Sequence, residues 1–487
     1  MNLHDQIDMG RIIKGQQSED HPIVEKIFQE GQDHVFRWWE ELSESSQKRL
    51  LDQLRQIDFT LIKMLKEKYI DQKQSTSLHE NMEPVDVISV PTLPGEIESA
   101  NRAKHMGEET IRSGKLGILL VAGGQGTRLG FDKAKGFFPV SPIKGESLFQ
   151  LHAEKILAAS RYYGVSLPWY IMTSETNDDE TKHFFHQKEF FGFEKKDVIF
   201  IKQRMIPALD DEGKLILDAK DHIFTNPNGH GGAFLALMEN SAIENMINRG
   251  IEIISYFQVD NVLIKMVDPV FVGYHVQADA DMSSKMVRKQ NPWEKVGHFV
   301  RINGKLRVIE YSEMCESDKM LRNWGGRLKY EAGSIAIHLI NTDFVGKLMQ
   351  EELYLPYHMA EKKIPYLDYK DNLIKLKKTN GYKFEKFIFD ALEYSKNSII
   401  MEIIRENEFS PIKNEIGENS PETAQRDLSN LFGRWLELAG IHVPKNKQGD
   451  VDGRIEINPL YALNEDQFLE KVDRNLCFKD SLYLGSP

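Results

Sequence analysis

Leu119–Leu120–Val121–Ala122–Gly123–Gly124–Gln125–Gly126–Thr127–Arg128–Leu129–Gly130, followed by Lys133, Lys135 and Gly136, is the stretch on which the fold turns. The apolar run Leu116–Ala122 predicts a buried strand, and it opens into four glycines within eight residues. Such a loop lets the backbone approach a ligand closely and aim several N–H groups at it. α/β sheets bind their ligands at the carboxyl ends of strands, where this loop falls. Arg128, Lys133 and Lys135 bring cationic charge to the same place. A plain turn with solvated charges is the bland alternative, but it would not need the backbone entropy that four glycines cost. A Walker loop is excluded, because Phe131 follows Gly130 and no Gly–Lys–Ser/Thr occurs there. The dinucleotide fingerprint is missed by one residue in Gly124, Gly126 and Gly130, and the continuation to Pro139 is not helical in pattern. Glu146 lies 20 residues beyond Gly126, so a nicotinamide-dependent dehydrogenase stays as an alternative.

Outward from this loop the chain alternates between strand and helix. Ser147–Tyr163 reads as a helix, Pro168–Thr173 as a strand, and Asn177–Glu180 as a capping box opening the next helix. Val198–Lys202 is a further strand, Gly231–Arg249 a helix closed by Gly250, and Ile251–Val259 a strand rich in β-branched and aromatic residues. This alternation predicts the α/β class, a Rossmann-like and mostly parallel sheet covered on both faces. Asn303–Gly304 between Val296–Ile302 and Lys305–Tyr311 predicts an antiparallel hairpin insertion. Apolar stripes from about residue 21 to 70 predict a helical cap, with a polar linker from Asp71 to Glu83. The expected division is an N-terminal helical region 1–100, a central domain 101–400 and a small C-terminal domain 401–487.

With 487 residues, 62 Lys+Arg and 74 Asp+Glu, the chain carries a net charge of −12. That disfavours general nucleic-acid binding unless cations converge locally. Only Cys315 and Cys477 occur, far apart, which argues against a disulfide framework or a Cys-based zinc site. Met1–Lys14 has no signal-peptide character and no apolar run approaches 18 residues. The expectation is a cytoplasmic protein without a membrane or nucleic-acid partner.

Further blocks appear in order: Gln203 before Met205–Ala208, Asn228–Gly232, Val259–Asn261, Glu310–Glu313, Lys383–Lys386 and Glu408–Asn414. Together with the glycine-rich loop, they resemble the UDP-N-acetylhexosamine pyrophosphorylase branch of the UDP-sugar pyrophosphorylases, over residues of about 100 to 460. The resemblance implies a uridylyltransferase that makes a UDP-sugar and pyrophosphate from UTP and a sugar 1-phosphate, with Mg²⁺ as cofactor. A phosphate monoester, with a second pKa of about 6, needs no general base to act as nucleophile. In-line placement and charge neutralisation dominate instead.

The same resemblance implies roles residue by residue. The backbone of Val121, Ala122, Gly123 and Gly124 holds uracil and ribose, Gln203 reads a uracil edge, and Gly229 passes under the base. Arg128 and Lys135 face the triphosphate, and Asp260 serves metal and phosphate. Lys383 and Lys413 contact phosphate, and Glu310 and Tyr311 contact sugar hydroxyls. On residue type alone, Gln203 is also a capped strand end and Asp260 an ordinary turn residue. Two positions depart from the branch. His230 stands where an Asn is usual and is more typical of the UDP-glucose branch, and Ser334 also replaces an Asn. His230 is read as a sugar or α-phosphate contact, with a catalytic role as the alternative. N-acetylglucosamine, N-acetylgalactosamine and glucose 1-phosphates therefore all stay open, as does a catalytically silent nucleotide-sugar-binding protein.

Overall fold

The computed structural model describes residues 20–72, 81–351 and 355–485. The reading of Met1–Lys14, and residues 73–80 of the expected linker, lie outside these. The chain divides into two compact units: Met1–Ser77, Arg204–Gly229 and Pro356–Phe387 form the first, and Leu78–Gln203, His230–Leu355 and Ile388–Pro487 the second. The units do not follow the expected boundaries at 100 and 400.

In the first unit the helical cap forms as expected over His21–Gln29, Glu44–Gln56 and Phe59–Leu65. Ser43 and Asp58 cap the second and third by accepting the N–H groups of Ser46 and Leu61. Their apolar stripes are covered by segments far along the chain. Ile27, Leu50, Leu54 and Leu65 share one core with Ile206, Leu209, Ile223 and Phe384. That sharing explains why two short returns of the chain belong with the helices.

The second unit is built on one ten-stranded sheet. Its strands are β1 (Met82–Pro84), β2 (Leu116–Val121), β3 (Trp169–Ser174), β4 (Val198–Gln203), β5 (Ile253–Gln258), β6 (Met282–Arg288), β7 (Gly297–Ile302), β8 (Lys305–Ile309), β9 (Ala332–Asn341) and β10 (Ile400–Glu402). The order is β1–β7–β9–β5–β2–β3–β4, with β8 on β7 and β6 joining β9 to β10. The centre β5–β2–β3–β4 is parallel, as the α/β reading requires, and β9 begins an antiparallel wing. Asn303 and Gly304 both take positive φ, the type I′ geometry that matches strand twist. The hairpin they close is not a separate insertion, since β7 pairs with β9 and β1 within the main sheet.

One face of the sheet packs on α1 (Leu148–Tyr163), whose N-cap Ser147 accepts the Gln150 N–H. On the other face the expected single helix Gly231–Arg249 is broken into α2 (Ala233–Glu239) and α3 (Ala242–Asn248), with Ser241 left-handed at the break. Asn240 supplies the reason. Its amide bonds both the N–H and the carbonyl of Lys202 on the edge strand β4, satisfying groups that an edge leaves open. The expected C-terminal domain also dissolves into the second unit. Leu428, Trp435, Ile455 and Phe468 belong to the same core as Leu120, Ile171 and Phe257, and β10 completes the sheet. Among the described residues no helix is long and apolar enough to cross a membrane. Asn240→Ala should lower stability by about 1–2 kcal/mol, read as a shifted urea midpoint with an unchanged slope.

Candidate active site

The parallel register brings four strand ends to one edge. Val121 on β2 lies beside Gln258 on β5 and Met172 on β3, and Ser174 lies beside Gln203 on β4. The loop leaving β2 is then fastened by buried side chains. Asn177, 1% exposed, donates to the Ala122 carbonyl and accepts the Ser174 N–H, while the Ser174 hydroxyl donates to the Gly123 carbonyl. The expected capping box at Asn177 is therefore absent, because the amide that would cap the helix holds the glycine-rich loop instead. A Cβ at Gly123 would stand 2.3 Å from the Gln203 amide nitrogen, so a larger residue there would displace the Gln203 side chain. Gln203 is buried, and its Oε1 has no protein partner. Further on, Gly126 donates to Lys133 and Lys135 to Gly124, closing the loop. Arg128 lies exposed on the helical turn Thr127–Leu129.

Lys135 emerges from this loop beside Asp260, with Nζ 3.1 Å from Oδ2. Burial pushes the Asp260 carboxyl up, but Lys135 and then Lys413 outweigh it and hold the group below the usual carboxylate range. The loop after β5 is sewn to the segment that carries Lys413. The Asp260 backbone carbonyl accepts the Ile412 N–H, and the Asn261 amide donates to the Glu408 carbonyl and accepts the Ser410 N–H. From behind, His152 Nε2 donates to the Val259 carbonyl, and Lys155 holds the carbonyls of Val262 and Ile264. Burial pushes His152 down to about 3, so its ring stays neutral, and pushes Lys155 down to about 7. At the level of sequence Asn177 reads only as the start of a capping box, and Asn261, His152 and Lys155 have no role of their own. The only signals were the Asn inside the Val259–Asn261 block and the i, i+3 spacing of His152 and Lys155 on one helix.

A cavity of about 120 Å³ adjoins this pair and is lined by His230, Asp260, Glu310, Tyr311, Ser334 and Lys413 among others. Ser334 reaches it because β9 carries two extra residues opposite β6: Ser284 faces His338 while Met286 faces Ser334. Ala336 in that bulge has φ +55°, a left-handed conformation that costs an L-residue roughly 1–2 kcal/mol. His230 Nδ1 accepts the Ile388 N–H, which leaves the proton on Nε2. Gly229 and Lys383 fall in the first unit. Gly229 has φ +73° and a Cβ there would meet the Lys386 carbonyl, and the Lys383 ammonium lies 4.6 Å over the Phe224 ring. A larger cavity of about 310 Å³, bounded by Lys155, Tyr163 and Trp435, contains none of the expected site residues.

The structure thus gathers Lys135, Asp260, Lys413, His230, Glu310, Tyr311 and Ser334 into one region, with Val121–Gly124 and Gln203 on the same strand edge. A carboxylate whose folded pKa is depressed adds stability above its unfolded pKa and loses it as pH falls through the folded one. Lys135→Ala should therefore destabilise the protein by about 2 kcal/mol or more near neutral pH. The gap to wild type should narrow as the pH falls through the acid range towards the depressed Asp260 pKa, measured by urea unfolding across pH.

A model of the UTP–glucose-1-phosphate uridylyltransferase family matches residues 59–416. The UDP-N-acetylhexosamine pyrophosphorylase-like protein 1 of Xenopus tropicalis is 38% identical over 462 residues, covering 89% of this chain and 90% of that one. The UDP-N-acetylglucosamine pyrophosphorylase of Saccharomyces cerevisiae is 34% identical over 461 residues, covering 91% and 96%. Among solved structures, the uridine diphosphate N-acetylglucosamine pyrophosphorylase of Trypanosoma brucei superposes with a TM-score of 0.81 at 26% identity, covering 97% of this chain and 99% of that one. A glycine-rich loop at the carboxyl edge, two lysines converging on a buried aspartate, and these likenesses over most of the length agree: the chain belongs to the UTP–glucose-1-phosphate uridylyltransferase family, as a nucleotidyltransferase of its UDP-sugar pyrophosphorylase kind.

Proposed function

We propose that this enzyme joins the uridylyl group of UTP to N-acetylglucosamine 1-phosphate, releasing pyrophosphate. The observation that carries the reading is the continuity of the Lys135–Asp260–Lys413 cluster with the cavity lined by Glu310, Tyr311 and Ser334. One phosphate oxygen of the sugar phosphate attacks the α-phosphorus of UTP, and the bond from that phosphorus to the bridging oxygen breaks. Both reactants are anions, so the chain's task is to hold them in line and neutralise their repulsion. Lys413, at the cavity wall, suits the sugar phosphate. Lys135 and the exposed Arg128 suit the triphosphate, with the guanidinium able to make a bidentate contact. The unpartnered Oε1 of Gln203, beside Gly123, supports a uracil contact, since uracil N3–H offers the matching donor.

Mg²⁺ fits the donor set. Among the described residues no cluster of three or more acidic, His or Cys side chains could hold a metal alone. Mg²⁺ characteristically takes one or two carboxylates and completes its shell with waters and substrate phosphates. Asp260, kept ionised by its lysines, is the carboxylate that would hold it, and the ion would supply further charge neutralisation on the phosphates. His230 and Ser334 both line the cavity, which keeps glucose 1-phosphate as a second reading of the sugar.

Pyrophosphate release with UTP and Mg²⁺ should be highest with N-acetylglucosamine 1-phosphate when compared with the N-acetylgalactosamine and glucose 1-phosphates. Preference for glucose would assign His230 and Ser334 to a re-specified pocket, and binding of a UDP-sugar without turnover would mean a silent binder. Lys135→Ala should lower turnover by about 10²–10³-fold, with the folded state confirmed by circular dichroism. Unchanged turnover would remove Lys135 from the site.

A further inference from the structure

Lys289 directly follows β6 and is almost wholly buried, at 6% exposure. Three neutral acceptors surround it: the Glu294 carbonyl at 3.0 Å, the Val296 carbonyl at 3.5 Å and His298 Nε2 at 2.8 Å. His298 is buried as well, and its Nδ1 lies 3.0 Å from the Tyr330 carbonyl. A carbonyl can only accept, so the His298 proton sits on Nδ1 and Nε2 offers its lone pair to the lysine. Burial, and then the nearby Lys289 charge, push His298 down to about 4, so the ring stays neutral across the assay range.

The turn held in this way is a wall of the site cavity. Lys295, Val296 and Gly297 line it, and Gly297 pairs directly with Ser334. The rest of the loop is tied down by Glu294, whose carboxylate accepts the Gln290 N–H and the Arg405 guanidinium at 2.7 Å. The three donors of the ammonium take both carbonyls and the imidazole at once.

We infer that Lys289 is a positioning residue for the sugar 1-phosphate: through His298 and the 294–296 carbonyls it fixes the wall against which the sugar rests. This inference depends on the reading of that cavity as the sugar subsite. Its signature is a KM for the sugar phosphate that depends on Lys289 while the KM for UTP does not.

Burial pushes the Lys289 ammonium down to about 8, with Glu294 and Glu310 opposing that change and Lys319 adding to it. The charged form, with all three bonds, is present below that pH and is lost above it. The sugar phosphate, with its second pKa of about 6, stays dianionic throughout. Wild-type KM for the sugar phosphate should therefore rise between about pH 7 and about pH 9 while KM for UTP stays level.

Lys289→Met, Lys289→Arg and Glu310→Gln test the inference and the subsite reading separately. Lys289→Met should raise KM for the sugar phosphate about 10- to 100-fold, with kcat and KM for UTP changed less than about threefold. Lys289→Arg keeps its charge at high pH and should flatten the pH dependence. If Glu310→Gln raises the sugar KM but Lys289→Met does not, the positioning role is overturned and the subsite reading stands. If neither moves it, both fall. Should Lys289→Met fail to fold, the wild-type pH series decides alone, and a flat sugar KM from about pH 7 to about pH 9 overturns the inference.

Discussion

A carboxylate taken out of water is tolerated only where positive charge or hydrogen bonds replace its hydration. Asp260 meets that condition with Lys135 at 3.1 Å and the field of Lys413. The arrangement satisfies two needs together. Two lysines would repel each other across a dry pocket, and the buried aspartate would otherwise take up a proton. With one carboxylate between them, both cations can be held close together in the folded protein before any phosphate arrives. Two lysines and one aspartate leave the cluster with a net positive charge.

That cluster comes from three stretches of chain distant in sequence, and backbone bonds to side-chain amides hold them in register. Asn177 fixes the loop that ends in Lys135, and Asn261 fixes the loop that bears Lys413. Neither amide touches the charges. Such buried amide bonds are costly to break, since each loss leaves a buried group unpaired. They also reconcile an overall charge of −12 with the binding of polyanions. The relevant field is set by the few cations that converge on one low-dielectric cleft, and the distant acidic surface is screened by salt.

Features that act over a few residues were legible in the sequence. The apolar run into Gly123 and Gly124, the Asn303–Gly304 turn, and the helical stripes around Leu50 and Leu54 each carry their geometry locally. Features made by distant partners were not. The break at Asn240–Ser241 needs the backbone of Lys202. The first unit needs Ile206 and Phe384 to reach the stripe of Leu50, and no periodicity near residue 50 announces that. Asn177 was misread for the same reason: a capping box and a loop clamp begin with the same residue type, and only the position of Ala122 decides between them. The residues that line the cavity and the strand edge were named through resemblance, Gly229 and Lys383 fall in the first unit, and Asn261, His152, Lys155 and Lys289 carried no signal because their bonds are to distant backbone.

The residues of the cluster and those of the cavity wall also sit in structurally different places. Lys135 and Asp260 lie on loops that leave the parallel strands β2 and β5, and Lys413 lies on a segment bonded to the second of these loops through Ile412. Ser334 lies next to a two-residue bulge, and His230 lies on a short turn fastened through Ile388. At such irregular places a side chain can be exchanged without disturbing the ladder on either side, because the backbone is already held by its own bonds. A change from Asn to His or from Asn to Ser there alters which hydroxyl or amide the wall can pair with, while the cations one strand away keep their spacing. Exchange at the two irregular places therefore leaves the Lys135–Asp260–Lys413 spacing unchanged.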